Sequence, residues 1–451
     1  MTGSRLQVLS PKRHITFIQQ SHSFPTMAPS PRAEVADLNQ IFPREEGIVM
    51  KKTTLALAIL SATAASVQAG TITTDGPDIV VKTKGGLEAK TTDGSASFKL
   101  GGRIQLDYNN YDGVMNGVPG KDGSDLFFRR ARLELEGHYQ DWGYLMAYNL
   151  TEGGSIDLLH TTYMGWGPLA LLTFGQQKED FGLEDTGSSK WITTMERSMP
   201  ANAFDTGNNL GVKLHGFNED ITYSLGAYKQ NVDSNNDLNS AITARFVVRP
   251  IHDGSNLVHL GVGYTTRDGD FTQLGARLGV RGGDAGNATR VRARYAAGAV
   301  ADGLEAWNAE LAGSFGPVHA MAEYFDGKIS GVAAAPDIKA QGYSAQLGWI
   351  ITGETRTYKN EIGAFDKIKP AGVGGAYEVF ARYDELDASD NKNVAPVQVI
   401  GETGNTITVG VNWYANELVK VALNYVHANT DEKIGGEDSG DAIVSRIQYA
   451  F

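Results

Sequence analysis

The 451-residue chain contains no cysteine, which excludes disulfide scaffolds and cysteine-based metal centres. Proline is scarce, 14 residues against 54 glycines, a balance that suits many uninterrupted strands joined by turns. Positive charge is in deficit: 40 Lys and Arg face 52 Asp and Glu, and the net charge of −12 argues against a nucleic-acid partner. Catalytic patterns are missing too. Gly101-Gly102 and Gly282-Gly283 match no phosphate-loop spacing, no Gly-x-Ser-x-Gly elbow occurs, and the nine histidines keep no metal-ligand interval. His138, His160, His215, His259, His319 and His427 read instead as strand-end or aqueous-face residues. An outer-membrane hydrolase or adhesin is therefore disfavoured, and no cofactor or metal is implied.

Long apolar runs are nearly absent as well. Thr53 to Val67 is shorter than the ~20 residues needed to span a bilayer as a helix. It follows Met50-Lys51-Lys52 and precedes Val67-Gln68-Ala69, so residues 50–69 have the three regions of a secretory signal peptide, with cleavage expected after Ala69. Residues 1–49 lack periodicity and stand upstream of a second start at Met50; they read as a mis-chosen start. Residues 70–451 are left to fold.

What is present is alternation. In Phe127-Phe128-Arg129-Arg130-Ala131-Arg132-Leu133-Glu134-Leu135-Glu136, a two-residue period puts Ala131, Leu133 and Leu135 on one face and Arg130, Arg132, Glu134 and Glu136 on the other. Sixteen such blocks follow Ser97: 97–108, 127–138, 142–151, 156–165, 169–175, 209–217, 221–230, 241–250, 257–267, 304–314, 318–328, 340–352, 376–388, 405–415, 419–429 and 441–451. Their length suits tilted membrane strands, and an even number can close antiparallel. Spacers mostly alternate short and long, as periplasmic turns and external loops do. Thr352–Gly375 is long where a short turn is due. Thr406 to Tyr414 alternates cleanly, with Trp413 and Tyr414 at the height of an aromatic girdle, and the chain ends in Phe451.

Arginine carries the functional signal. Arg103, Arg129, Arg130 and Arg132 lie on the first two strands, and Arg277, Arg281, Arg290, Arg292 and Arg294 on the long segment after Tyr264. A guanidinium offers five donors in a planar fork that fits phosphate and carboxylate oxygens, so a lumen lined with it conducts anions. Solvated loop charges paired with surplus acids are the alternative for any one of them.

The chain resembles the phosphate-selective porins over nearly all of residues 70–451. The resemblance rests on collinear segments: Gly70 to Gly76, Lys84 to Glu88, Lys99-Leu100-Gly101-Gly102-Arg103, Phe128-Arg129-Arg130-Ala131, Phe181-Gly182-Leu183-Glu184, Ser188-Ser189-Lys190-Trp191, Val411 to Glu417 and Asp438 to Asp441. It implies a homotrimer of sixteen-stranded barrels with loop 3 folded into each lumen. It further implies a constriction at Arg103, Arg129, Arg130 and Asp157, and an arginine ladder at Arg277, Arg281 and Arg290. Asp185 replaces a constriction lysine of the family pattern, Gly143 replaces a lysine lower in the pore, and Gly269 to Ala276 lacks the closely spaced ladder arginines. These departures argue against a strict phosphate preference.

The expected fold is all-β, a 16-stranded antiparallel transmembrane barrel in the Gram-negative outer membrane. The expected function is passive diffusion of phosphate, polyphosphate or other small anions, with outer-membrane lipid as the surrounding partner. A general diffusion pore of weak or reversed charge selectivity is the rival, favoured by the acidic balance and by Asp185. Strict alternation puts Arg129 on the lipid face, so a bulge or strand end is expected there. Gly101-Gly102 is expected to give an inserted loop room at the wall.

Overall fold

The computed structural model describes residues 70–451 apart from 73–75, 84, 116–121, 152, 230–239, 270, 282–289, 296–300, 333–334, 391–398 and 432–438. The expected leader over 50–69, residues 1–49 and Gly282-Gly283 lie outside the described residues. Among the described residues no helix is long and apolar enough to cross a membrane.

Sixteen strands form one antiparallel ring in chain order. The first eight are β1 (Ala96–Tyr111), β2 (Gly123–Tyr139), β3 (Trp142–Asn149), β4 (Ser155–Tyr163), β5 (Leu171–Lys178), β6 (Asn208–Phe217), β7 (Ile221–Lys229) and β8 (Ser240–Asp253). The rest are β9 (Asn256–Arg267), β10 (Ala301–Phe315), β11 (Val318–Gly331), β12 (Ile338–Ile350), β13 (Ala376–Asp390), β14 (Thr403–Tyr414), β15 (Val419–Asp431) and β16 (Ser439–Ala450). Each corresponds to one alternating block of the sequence. β16 pairs back onto β1, from Ala442 opposite Tyr111 to Ala450 opposite Arg103, and closes the barrel.

Alternation sets the two faces. On β1, Ile104 and Tyr108 are exposed while Arg103, Gln105, Asp107 and Asn109 are buried; on β14, Ile407, Val409, Val411 and Trp413 are exposed while Thr406, Thr408 and Asn412 are buried. Apolar side chains therefore face outward, the inverse of a soluble sheet.

One sector of the inner wall departs from this rule. Leu304, Ala306, Phe325, Ile329, Ile338, Ala340, Leu386, Ala388, Val426 and Ala428 are buried, apolar and toward the long-loop end of β10 to β15. They pack on a hairpin formed by Gln273–Arg277 and Arg290–Tyr295, whose Leu274, Ala276, Val291 and Ala293 face them. Each of the Leu, Ile, Val and Phe side chains contributes roughly 1.5–3 kcal/mol of burial, and the alanines less, enough together to hold a polar-edged hairpin against a wall.

The unexplained connection after β12 has the same physical basis. Within it, Arg356–Lys359 pairs with Ala364–Ile368. This hairpin buries Ala364 and Phe365 against Leu183, Leu257 and Ala312. Arg245 donates to Ile362 O and Gly363 O (2.8 and 2.9 Å), and Thr222 Oγ1 donates to Asn360 O (2.5 Å). His259 and His319, assigned to strand ends or the aqueous face, prove to be sealed beneath it: His259 bonds Tyr358 and Glu310, and His319 bonds Glu378.

At the seam, Gly102 and Phe451 exchange backbone hydrogen bonds of 2.9 and 3.0 Å. A Cβ on Gly102 would collide with Arg132 O and press on the Phe451 ring, so the glycine pair makes room for Phe451 and the β2 backbone, where an inserted loop was expected. Phe451 stacks on Tyr449 with ring centroids 5.4 Å apart. Gly102→Val is expected to cost about 1–3 kcal/mol through overpacking. The measurement is the heat-unfolding midpoint of the detergent-purified barrel on a semi-native gel; an unchanged midpoint would show that the seam tolerates a side chain.

Candidate functional site

The inner faces of β1 and β2 carry the first arginines, and a bulge places the misfit one. Gln105 pairs with Arg130 but Leu106 pairs with Phe128, so Arg129 is an extra residue in the ladder. The bulge lets Phe128 stay outward, where it is exposed, while Arg129 and Arg130 both leave the lipid side. A second bulge sits on β4: Ala147 pairs with Leu158 and Tyr148 with Ile156, skipping Asp157. Two of the expected site residues are thus aimed by breaks in the two-residue period.

Residues 179–207 join β5 to β6 and bond to inward-facing side chains of strands around much of the ring. Arg103 donates to Ser189 Oγ (2.7 Å), Lys420 to Ile192 O (2.8 Å), and Arg446 to Met195 O (2.7 Å). From β13, Arg382 donates to Thr194 Oγ1 (2.7 Å) and Glu196 O (2.8 Å). Arg356 of the turn-end hairpin donates to Thr193 Oγ1 (2.8 Å) and Trp191 O (2.6 Å). A short helix, Leu183–Thr186, begins at Gly182, whose φ of 82° favours glycine. Glu323 of β11 accepts from Leu183 N (2.6 Å) and Glu184 N (3.0 Å), placing a carboxylate on the helix's first amides.

Glu196 lies where the arginines meet. Its carboxylate takes Arg129 bidentately at 2.7 and 2.9 Å, Arg446 at 3.0 Å and Arg281 at 3.5 Å. Burial alone would raise its pKa, but Arg129, Arg446 and Arg130 hold it well below the ordinary carboxylate range. Glu196, Asn202 and Asp205 line a cavity together with Arg277, Arg281 and Arg290. Arg277 and Arg290 belong to the two strands of the apolar-backed hairpin and Arg281 lies between those strands in sequence; Arg277 stands opposite Arg290 and Arg292 opposite Gly275. Like charges directly across a strand pair repel, so this face favours an anion.

The remaining expected residues are placed as follows. Arg103 lies 3.3 Å from Glu134, and Arg130 donates to the neutral Gln105 Oε1 at 3.0 Å. Asp157 pairs with Arg132 at 2.6 Å and accepts from Asn208 at 3.0 Å. Asp185 is buried, with Lys178 at 3.0 Å and Arg197 at 2.9 Å on one oxygen. Burial and Asp205 push its pKa upward, against the pull of those two cations. Asp185 therefore pins the loop base to a lysine and an arginine. Arg292, grouped with possible mobile loop charges by sequence, is in the hairpin strand, and its backbone N–H donates to Glu402 (3.2 Å).

Sequence reasoning missed Glu196, Arg382 and Arg446. The arginines were findable, since both occupy inward positions of their alternating strands. Glu196 was not, because residues 179–207 have no period to assign a direction. Among the described residues no group of His, Cys, Asp and Glu has the arrangement of a metal site.

A family model described as "Phosphate-selective porin O and P" matches residues 98–451. Porin O of Pseudomonas aeruginosa is 40% identical over 436 residues, covering 88% of this chain and 98% of that protein. A protein of Caulobacter vibrioides, described as uncharacterized, is 28% identical over 74% of this chain and 69% of its own length. Among solved structures, an anion-selective porin from Comamonas acidovorans superposes with a TM-score of 0.51 at 13% identity, covering 79% of this chain and 100% of the other. OmpT of Vibrio cholerae gives 0.51 at 11% identity, covering 79% and 98%. At these identities the two structures speak for the barrel fold alone.

Proposed function

The chain belongs to the phosphate-selective porin O and P family, and from that premise we propose that it is a passive pore for small anions, with phosphate or polyphosphate the first candidate solute. As a closed sixteen-stranded barrel of this family it resides in the Gram-negative outer membrane. The observation that carries the anion reading is the convergence of Arg277, Arg281 and Arg290 on one cavity lined also by Glu196, to which Arg129 is bonded. An anion entering it exchanges part of its hydration for guanidinium donors and passes between fixed cations, each weak enough to release it. No catalytic step and no energy source belong to this reading.

Residues 179–207 act here as loop 3, narrowing the lumen; their bonds to Arg103, Arg382, Lys420 and Arg446 support that role. Arg103, Arg129, Arg130 and Asp157 line the narrow zone, and Arg277, Arg281 and Arg290 lead into it. The barrel spans 70–451 and is exported by a leader over 50–69. It works as a homotrimer in outer-membrane lipid; OmpT of Vibrio cholerae, of the same barrel fold, has a structure described as a trimer form.

Reversal potentials of the purified protein in a chloride gradient, then with phosphate added, test the reading; cation selectivity would replace it with a general diffusion pore. Within that assay Arg130→Ala is expected to lower anion selectivity more than Arg292→Ala. Arg130 bonds a neutral amide and keeps its field, whereas Arg292 has Glu402 beside it and solvent that screens within ~10 Å. Equal shifts would show that charge is read along the whole path and not at a narrow zone.

A further inference from the structure

The geometry points to Glu196 as an affinity-setting residue of the pore: we propose that its carboxylate occupies the place on Arg129 that a permeating oxyanion takes, and competes with it. The inference rests on the anion-pore reading and adds to it a specific determinant. A carboxylate and a phosphate present the same paired oxygens to a guanidinium fork, so the bidentate Arg129 contact at 2.7 and 2.9 Å is the contact an oxyanion would make. Both oxygens are shared further, Oε1 with Arg446 at 3.0 Å and Oε2 with Arg281 at 3.5 Å. One acid thus draws on three cations, and it also lines the cavity that Arg277 and Arg290 face.

Its backbone is fixed independently of its carboxylate. Arg382 Nη1 and Thr194 Oγ1 each donate to Glu196 O at 2.8 Å, so the loop is tied at the carbonyl. The carboxylate is left to face the guanidinium groups. The other acids near the path differ: Glu134 is on β2 between Arg103 and Lys190, and Asp157 is on β4 against Arg132. Neither lines the cavity; Asp205 does, but its carboxylate accepts from Gly207 N at 2.8 Å and does not take the Arg129 fork. A cluster of arginines without an internal anion would hold a multiply charged solute strongly, and strong holding opposes throughput. Glu196 weakens each visit by contributing negative charge at the binding point.

The test is phosphate inhibition of chloride conductance through the full-length trimer in a planar bilayer, for wild type and Glu196→Gln. The variant should need at least about threefold less phosphate for half-inhibition, the change one unit charge makes at ~6 Å in water. Its phosphate flux at saturation should fall, because the anion leaves more slowly. A merely structural role predicts the reverse pair, a loosened loop with weaker block and higher conductance. In an Arg129→Ala background the effect of Glu196→Gln should largely vanish. An unchanged or raised half-inhibition concentration in Glu196→Gln, or a full effect without Arg129, overturns the proposal. If Glu196→Gln does not assemble, Glu196→Asp, which withdraws the same charge by one methylene, should show a smaller fall in half-inhibition; no fall overturns the proposal. Wild type that is cation-selective defeats the anion-pore reading itself, a distinct result.

Discussion

Replacing residues 353–375 by Asn-Gly is expected to raise the chloride conductance of a single pore several-fold. The replacement is compatible with the barrel, since Ile350 pairs with Glu378 and Ile351 N bonds Tyr377 O, leaving two strand ends that a two-residue turn can join. It removes the hairpin whose Phe365 and Ala364 pack on Leu257 and Ala312 and whose carbonyls bond Arg245. It also removes Arg356 from Thr193 and Trp191 O, so residues 191–193 lose a support on the turn side. Arg245, Glu310 and His259 remain bonded to one another, which spares the wall an uncompensated charge. Single-channel recordings decide the matter. Conductance within error of wild type would place the hairpin outside the current path.

Arg382→Ala is expected to destabilise the folded barrel by about 3–5 kcal/mol, the range for breaking a buried ion pair from one side. Arg382 is bonded to Asp384 at 2.9 Å, Glu184 at 3.4 Å, Thr194 at 2.7 Å and Glu196 O at 2.8 Å, and its side chain is only 3% exposed. Removing it leaves Asp384 and Glu184 buried with one cation fewer, and it releases the loop from β13. Arg382→Lys keeps the charge but not the planar fork, so it should recover only part of the loss. Heat-unfolding midpoints of the three proteins, measured in one detergent, test this. A midpoint for Arg382→Ala equal to wild type would mean that water enters and solvates the two acids.

The strand ring was legible because each strand writes its own two-residue code, as in Thr406 to Tyr414, and because sixteen can close. The bulge at Arg129 was legible by contradiction: strict alternation put Arg129 on the wrong face, and the ladder breaks there; the bulge that skips Asp157 was not anticipated. The inserted pieces were less legible. Leu274, Ala276, Val291 and Ala293 alternate too, but nothing local says that their partner is the inside of the same barrel. The apolar inner wall at Leu386 and Ala388 gives the same ambiguity from the other side. Asp185 shows the limit of reading charge by position. As a replacement for a lysine it suggested repulsion of anions, whereas in the fold it is consumed by Lys178 and Arg197. A lysine there would meet two cations, and its first effect would be on the loop base.

The seam between β1 and β16 sets an order of events. Gln105 and Gln448 bond across it at 2.6 Å while standing 343 positions apart, a ring whose closure costs about 5 kcal/mol of chain entropy if nothing between them has formed. Neighbouring hairpins face a far smaller cost, so the seam is zipped when the other fifteen pairings have already drawn its ends together. Until then β1 waits with an open edge, and the small strand Leu87–Thr91 takes a place on that edge, from Leu87 opposite Leu100 to Lys90 opposite Ser97. It occupies the rungs just below those that Ala450 and its predecessors need. The segment before the barrel thus acts as a stop: an arriving last strand that slid too far would find its rungs already taken, and the register that fits is the one that ends on Gly102.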